Sequence, residues 1–253
     1  SNLKPGGHSV EGTDTDDLKF KRLRRFNLIM GFFHFIQAAI MLAIANYDVQ
    51  MRFTTSYIDA SGGFPPMAPG SAVEFFSVPL GPMVAIFLLM SAIAHFSVST
   101  FGYKWYVANL KQNINKARWF EYAVSSSFML VVIAWLCGMF DIVSLILLFS
   151  VNACMNLFGY MMELHNQTTK KTDWTAFIFG CFAGLIPWVA LFMYFTGVRG
   201  GSPPGFVYGI MISIAFFFNI FAINMVLQYK KVGKWKDYLY GERFYIILSL
   251  VAK

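Results

Sequence analysis

The chain has 253 residues; 57% are Ala, Val, Ile, Leu, Met, Phe, Trp, Tyr or Cys and only 13% are charged, against about 45–50% apolar (Gly included) and about 25% charged in soluble domains. Its mean hydropathy is +0.55 and its formal net charge is +7. This excludes a soluble globule, for want of polar surface, and also a disordered chain, a collagen, a coiled coil and a disulfide scaffold. What remains is an all-α integral membrane protein with room for seven spans of about 20 residues.

Residues 1–20 are polar and Gly-rich, with Asp14, Asp16 and Asp17. They lack the apolar stretch of a signal peptide and read as a disordered cytoplasmic tail ahead of one seven-span domain over 21–253. A basic cluster (Lys19, Lys21, Arg22, Arg24, Arg25) leads into the first apolar run, 26–47. The next stretch, 48–77, is a long loop. Its start, 50–57, partly alternates and is rich in β-prone residues, and Gly62-Gly63 and Pro65-Pro66 punctuate it. The pattern predicts a short extracellular β-hairpin between the first two spans. A two-stranded ribbon is weak alone, so it is expected to pack on something, a second protomer being one choice.

The second run covers about 78–103 and the third about 119–140; Asp141 marks a tight turn into the fourth, which reaches about Met162. The fifth is about 174–197 and the sixth about 205–229. A seventh opens near Leu239 and is too short to cross the bilayer by Lys253, so the helix is expected to continue beyond that residue. Cys137, Cys154 and Cys181 lie in apolar runs and read as small packing residues, not a disulfide frame or a zinc site.

Basic residues orient a membrane protein, because cytoplasmic segments carry the excess of Lys and Arg. Six precede the first span, four lie between the second and third, two between the fourth and fifth, and five between the sixth and seventh. The other side carries only Arg52 and Arg199. The N-terminus is therefore expected in the cytoplasm and the C-terminus outside. The sequon Asn166-Gln167-Thr168 then falls on the cytoplasmic side, where glycosylation does not occur. The charge of +7 follows from the same asymmetry; topology accounts for it, and as a surface it favours anionic lipid headgroups over nucleic acid.

Ionisable side chains inside spans are costly and mark function by default. Four stand out: His34, His95, Glu121 and Lys253. His34 lies eight residues into the first span and His95 eight residues from the end of the second, each about 12 Å deep at about 1.5 Å per residue. Glu121 is in the first turns of the third span, and Lys253 reaches the midplane. All four fall in the cytoplasmic half or at the midplane, and each has polar company on its own face. Ser249 and Tyr245 share the stripe of Lys253, Ser125 that of Glu121, Ser91 that of His95, and Gln37 that of His34. Asp141 and Glu163 sit at span ends and read as boundary residues in reach of water.

A structural alternative stands beside each of these. An intramembrane His is also a helix-to-helix hydrogen bonder, and Glu121 follows Arg118 by three residues, the spacing of a surface ion pair. Lys253 is different, because it has no route to an interface. Burying it costs several kcal/mol unless it is neutralised, paired or modified. A desolvated lysine is also a nucleophilic amine suited to Schiff-base formation. A protonated Schiff base needs a carboxylate counterion, and Glu121 is the one the spans offer. This pairing points to a retinal-type aldehyde. The surrounding pocket would be aromatic, from Phe216-Phe217-Phe218 and Asn219 in the sixth span and Pro187-Trp188 in the fifth, although Phe-rich spans also simply face lipid.

These residues sit in longer motifs. The stretches Gly31–Gln37 (GFFHFIQ), Ser91–Phe96 (SAIAHF), Arg118–Ser127 (RWFEYAVSSS) and Leu248–Lys253 (LSLVAK), together with Pro204–Ile210 and Gly241–Arg243, resemble the heliorhodopsins from about Phe26 to Lys253. The resemblance implies a seven-helix rhodopsin-like bundle of inverted topology, in agreement with the charge count. It implies all-trans retinal bound covalently to Lys253, Glu121 as counterion, Ser249 hydrogen-bonding close by, and His34 and His95 in a polar cytoplasmic-side cavity that takes up the proton. Ser125, Trp188, Phe217 and Asn219 complete the expected chromophore pocket. It also implies a homodimer in which the first external loop reaches the neighbour.

The function expected is a light-sensing photoreceptor in the cell membrane. Proton release to the cavity and a conformational signal to an unidentified downstream partner would follow photoisomerisation, without pumping. A light-gated or light-driven proton or ion transporter is the rival. A pump needs a path on both sides of the Schiff base, and the visible ionisable groups lie on one. A seven-span zinc hydrolase is disfavoured, because only two His lie inside and no third ligand shares their depth. A scaffold without a cofactor would leave Lys253 unexplained.

Overall fold

The computed structural model describes residues 10–63, 69–202 and 205–253. Helix α1 (Val10–Ile44) is followed by strands β1 (Gln50–Ile58) and β2 (Pro69–Pro79), then α2 (Leu80–Ser99), a short α3 (Tyr103–Leu110), α4 (Lys116–Leu136), α5 (Ile142–His165), α6 (Thr175–Thr196), α7 (Gly205–Tyr229), a 3₁₀ turn (Gly233–Lys236) and α8 (Tyr238–Ala252). Among the described residues six helices are long and apolar enough to cross a membrane: α1, α2, α4, α5, α6 and α7. With α8 they make the seven long helices expected. Their outward faces carry large apolar side chains such as Phe182, Phe206 and Ile212, each about 70% exposed, which is what a lipid-facing surface requires.

Helix starts follow from capping. The Asn115 side chain accepts a hydrogen bond from the Arg118 backbone N–H at 3.0 Å and opens α4. The Asp141 carboxylate accepts from the backbone N–H and hydroxyl of Ser144, both at 2.7 Å, and opens α5. The Asp237 carboxylate accepts from the Leu239 N–H at 3.0 Å and opens α8. Such caps satisfy donors that the first turn of a helix leaves unpaired.

The hairpin between α1 and α2 is present as an antiparallel pair, with Phe53 opposite Phe76 and a register shift after it. Its alternation turns Met51 and Phe53 inward, 0% and 3% exposed, into the core formed by Ala85, Leu88, Leu130 and Ile133. The Thr54 N–H donates to Phe140 O at 2.9 Å, and the Trp135 indole N–H donates to Arg52 O at 2.9 Å. The ribbon therefore packs on the α4–α5 turn of its own chain. Of the expected turn, Gly63 adopts φ +101°; Pro65-Pro66 lies outside the described residues.

Two features depart from expectation. The helix of α1 begins at Val10, so the second half of the expected tail is helical, and residues 1–9 lie outside the described part. At 35 residues α1 rises about 52 Å, well beyond a hydrocarbon core of about 30 Å. Its overhang is covered: Phe20 and Leu23 are buried against Tyr106 and Leu110 of α3 and Leu239 and Ile246 of α8. Helix α3, between the second and third spans, is an element the sequence patterning did not predict.

Candidate functional site

Lys253 stands at the end of α8. Its Nζ is 2.7 Å from Glu121 Oε1, 2.6 Å from Ser125 Oγ and 2.5 Å from Ser91 Oγ. Both serine hydroxyls donate to the same Glu121 oxygen at 2.6 Å. Three helices thus meet at one carboxylate, α2 through Ser91, α4 through Glu121 and Ser125, and α8 through Lys253. The Lys253 side chain is 4% exposed and that of Glu121 12%. A unit charge pair this close and this dry holds together strongly, and removing either partner would strand the other. Lys253 and Glu121, paired in the sequence argument, are thus in direct contact, and Ser125, on the face of Glu121, touches both.

One turn along α2 from Ser91 is His95. Its ring stacks on that of His34, with centroids 5.5 Å apart and planes 12° from parallel. His95 Nδ1 lies 2.8 Å from Asn27 Oδ1, and the Asn27 amide donates to Leu23 O at 3.2 Å and to Tyr106 OH at 3.5 Å. His34 is fully buried, and neither of its ring nitrogens has a partner among the described residues; Gln37 Oε1 lacks one as well. The two His side chains thus form one polar compartment between α1 and α2, a turn from the Glu121 cluster. A string of polar groups continues from it through Asn27 and Tyr106 toward the basic end of the bundle. Neither Asn27 nor Tyr106 was singled out from the sequence, although Asn27 lies two turns before His34 on one face of the same helix.

Beside Lys253, on the side away from the His pair, a cavity of about 750 Å³ runs between α4, α5, α6, α7 and α8. Its walls include Trp188, Met129, Phe218 and Asn219, with Tyr245 and Ser249 adjoining the amine. Trp188 and Phe218 meet edge to face at 5.4 Å. Ser249 is 2% exposed and its hydroxyl has no partner among the described residues. Of the aromatic triplet in α7, Phe218 lines this cavity; Phe217 does not appear in its wall and packs edge to face with Phe216. The Asn219 amide donates to Ala215 O at 2.8 Å. The cavity volume lies within the roughly 300–1,000 Å³ of small-molecule sites. An apolar, aromatic slot with a single primary amine at its end suits an elongated apolar aldehyde, which is the chemistry of retinal.

A second charged cluster corrects the sequence reading. Glu163, expected at a wet boundary, is 1% exposed, as is Glu242, and Arg118 between them is 6% exposed. Glu121 is therefore not the sole buried carboxylate. Arg118 pairs with Glu163 at 2.5 Å and with Glu242, and does not form the Glu121 pair that its spacing allowed. Asn115 donates through its amide to Glu242 at 2.6 Å and through its backbone N–H to Glu163 at 2.8 Å. The Trp119 indole and Tyr238 hydroxyl also donate to Glu163, at 2.7 and 3.1 Å. The guanidinium lies over the rings of Tyr245 and Trp119, 3.9 and 4.5 Å from their centroids. This cluster ties α8 to α4 and α5. Asp141, read as a boundary residue, caps α5.

Among the described residues no group of three or more His, Cys, Asp and Glu is placed to hold a metal ion. No curated protein matches the chain. A family model described as Heliorhodopsin matches residues 23–253. That match covers α1 from Leu23 on, the other helices and both charged clusters, and with it the amine, the carboxylate and the aromatic cavity fall into place: the chain belongs to the heliorhodopsin family, the retinal-binding, light-sensing rhodopsins.

Proposed function

We propose that this integral membrane protein is a photoreceptor whose retinal, all-trans in the dark, is attached covalently at Lys253 Nζ, and that it signals without pumping ions. The observation that carries this reading is the Lys253–Glu121 contact of 2.7 Å at the end of an aromatic cavity. Retinal, when bound, supplies visible absorption and a light-driven change of shape. Everything else is done by side chains. Trp188 and Phe218 confine the apolar ligand and exclude water. Glu121 balances the positive charge held at Nζ, and Ser91 and Ser125 fix the carboxylate oxygen that faces it. When Nζ moves away from Glu121, the Coulomb attraction that kept its proton weakens. The His34/His95 compartment is one helical turn from Ser91 and offers imidazole nitrogens of His34 without a partner among the described residues, so that is where the proton goes.

The polar side of the site is one-sided. Toward the hairpin end, the buried polar side chains beyond Ser125 are Ser127, Asn152 and Thr55 among the described residues, with no carboxylate, amine or imidazole. This favours sensing over pumping. The Lys and Arg distribution favours the basic end facing the cytoplasm and the hairpin facing outward. The hairpin exposes Tyr57, Ile58, Val73 and Phe75, each at least half exposed, apolar side chains suited to contact with a second protomer.

The test is an absorption spectrum of the purified chain with all-trans retinal, before and after hydroxylamine under illumination. A visible band that bleaches to retinal oxime supports attachment at Lys253, and Lys253→Ala should abolish it. Flash excitation of vesicles with a pH electrode then separates the two functions: transient proton release without net accumulation supports a sensor, whereas sustained one-way acidification would make the protein a transporter. No visible band in a folded protein would overturn the reading.

A further inference from the structure

A second cavity, about 430 Å³ and mostly polar, opens at the basic end of the bundle. Four lysines line it: Lys170 and Lys171 from the α5–α6 connection, and Lys231 and Lys236 from the α7–α8 connection. All four are exposed, and none makes an ion pair among the described residues. The one acid in the lining, Glu163, is already engaged by Arg118 at 2.5 Å. Four lysines from two separate segments therefore border one concave space, and none is answered by an anion among the described residues.

The connections that carry these lysines are ordered by side-chain hydrogen bonds. The Asn166 amide donates to Met162 O and Asp173 O, both at 2.9 Å, and its oxygen accepts from the Asp173 N–H at 2.7 Å and the Thr169 hydroxyl at 2.9 Å. Gln167 ties this turn to Gln112 O at 2.8 Å. Lys231 adopts φ +52°, a left-handed conformation uncommon for a side-chain-bearing residue, where α7 ends. Lys236 belongs to the 3₁₀ turn.

We propose that this cavity is a binding site for a phosphate-bearing anion. Lysine ammonium groups bind phosphate as compact point charges, and among the described residues no arginine lines the space to favour planar carboxylate pairing. The mostly polar lining disfavours an apolar ligand. Topology alone would scatter lysines over this face; it does not require unpaired ones from two connections to share a concavity. The phosphate could come from a soluble compound or from the headgroup of an anionic lipid.

The experiment uses the full chain in phosphatidylcholine nanodiscs at physiological ionic strength, titrated calorimetrically with inorganic pyrophosphate. Two variants remove the same charge. K171Q/K231Q takes two cavity lysines, and K230Q/K234Q takes two neighbours that do not line it. The proposal expects saturable binding that weakens at least tenfold in K171Q/K231Q and less than twofold in K230Q/K234Q. Absence of saturable binding to the intact chain, or equal weakening in both variants, would overturn it. Repeating the titration in phosphatidylglycerol nanodiscs identifies the source once the site is established. If the intact chain no longer differs from K171Q/K231Q, the lipid headgroup fills the cavity; if the difference persists, the ligand is soluble.

Discussion

Arg118→Met should be the most damaging single change outside the chromophore site. The substitution keeps an unbranched apolar stem and removes the positive charge that pairs with both Glu163 and Glu242, each 1% exposed. Breaking a buried ion pair from one side costs about 3–5 kcal/mol, and here the loss strands two carboxylates. The Asn115, Trp119 and Tyr238 donors to Glu163 and Glu242 remain, which keeps the cost in that range. At about 2–4 °C per kcal/mol for a chain of this size, the unfolding temperature should fall by roughly 10 °C. Glu242→Gln is the internal comparison. It retains an oxygen to accept from Arg118 and leaves a one-to-one pair with Glu163. Its cost is the difference between a charged and a neutral hydrogen bond, about 1 kcal/mol. Tryptophan fluorescence during heating in detergent reads both. The argument fails if Arg118→Met melts within a few degrees of the parent, or if Glu242→Gln falls as far as Arg118→Met.

Glu121→Gln should move the visible maximum of the retinal-loaded protein to longer wavelength, since positive charge then localises less at Lys253; an unchanged spectrum would remove Glu121 as counterion. Gly159→Ala should destabilise by about 1–3 kcal/mol, because a Cβ there would run into the Trp119 indole; melting temperature is the readout. Asp141→Ala removes the α5 cap and should cost about 1 kcal/mol. Hydrogen bonds from the Ser144 hydroxyl and backbone hold the Asp141 carboxyl below its ordinary value of 3.8. Its contribution should therefore be complete above about pH 5 and be lost as pH falls through the lowered value. The stability gap between parent and variant should close in acid and stay constant from pH 6 to 8.

Much of the bundle was legible because lipid imposes long apolar runs. The sixth run, 205–229, coincides with α7, and the capping residue Asp141 marks the turn between α4 and α5. Lys253 and Glu121 were legible for the complementary reason: a charge deep in an apolar run must find a partner, and few partners exist. Glu163 and Glu242 were not. Each lies near the end of an apolar run, where the sequence cannot tell a water-exposed acid from one folded under a neighbouring segment; here Tyr238 donates to Glu163 and Arg118 lies between the two acids. α3 is short and lies between two spans, which hid it, yet Tyr103, Tyr106, Val107 and Leu110 recur at helical spacing. That apolar face meets the overhang of α1, which explains why Phe20 and Leu23 are buried within a charged segment. The choice between Phe217 and Phe218 as cavity wall depends on the rotation of α7, which a uniformly apolar helix does not encode.

Helix α8 carries a charge cluster at each end. Glu242 is bound to Arg118 near its start and Lys253 to Glu121 at its finish, eleven residues or about 16 Å apart. The first anchor involves charged contacts to α4 and, through Glu163, to α5, so α8 can neither slide along its axis nor spin without breaking them. A displacement at the Lys253 tip therefore becomes a tilt about a fixed fulcrum. Over a lever of about 16 Å, 1 Å at the tip turns the helix by about 4°. Sideways motion of the amine is thus converted into angular strain on the connection between α7 and α8, at the opposite end of the molecule from the hairpin.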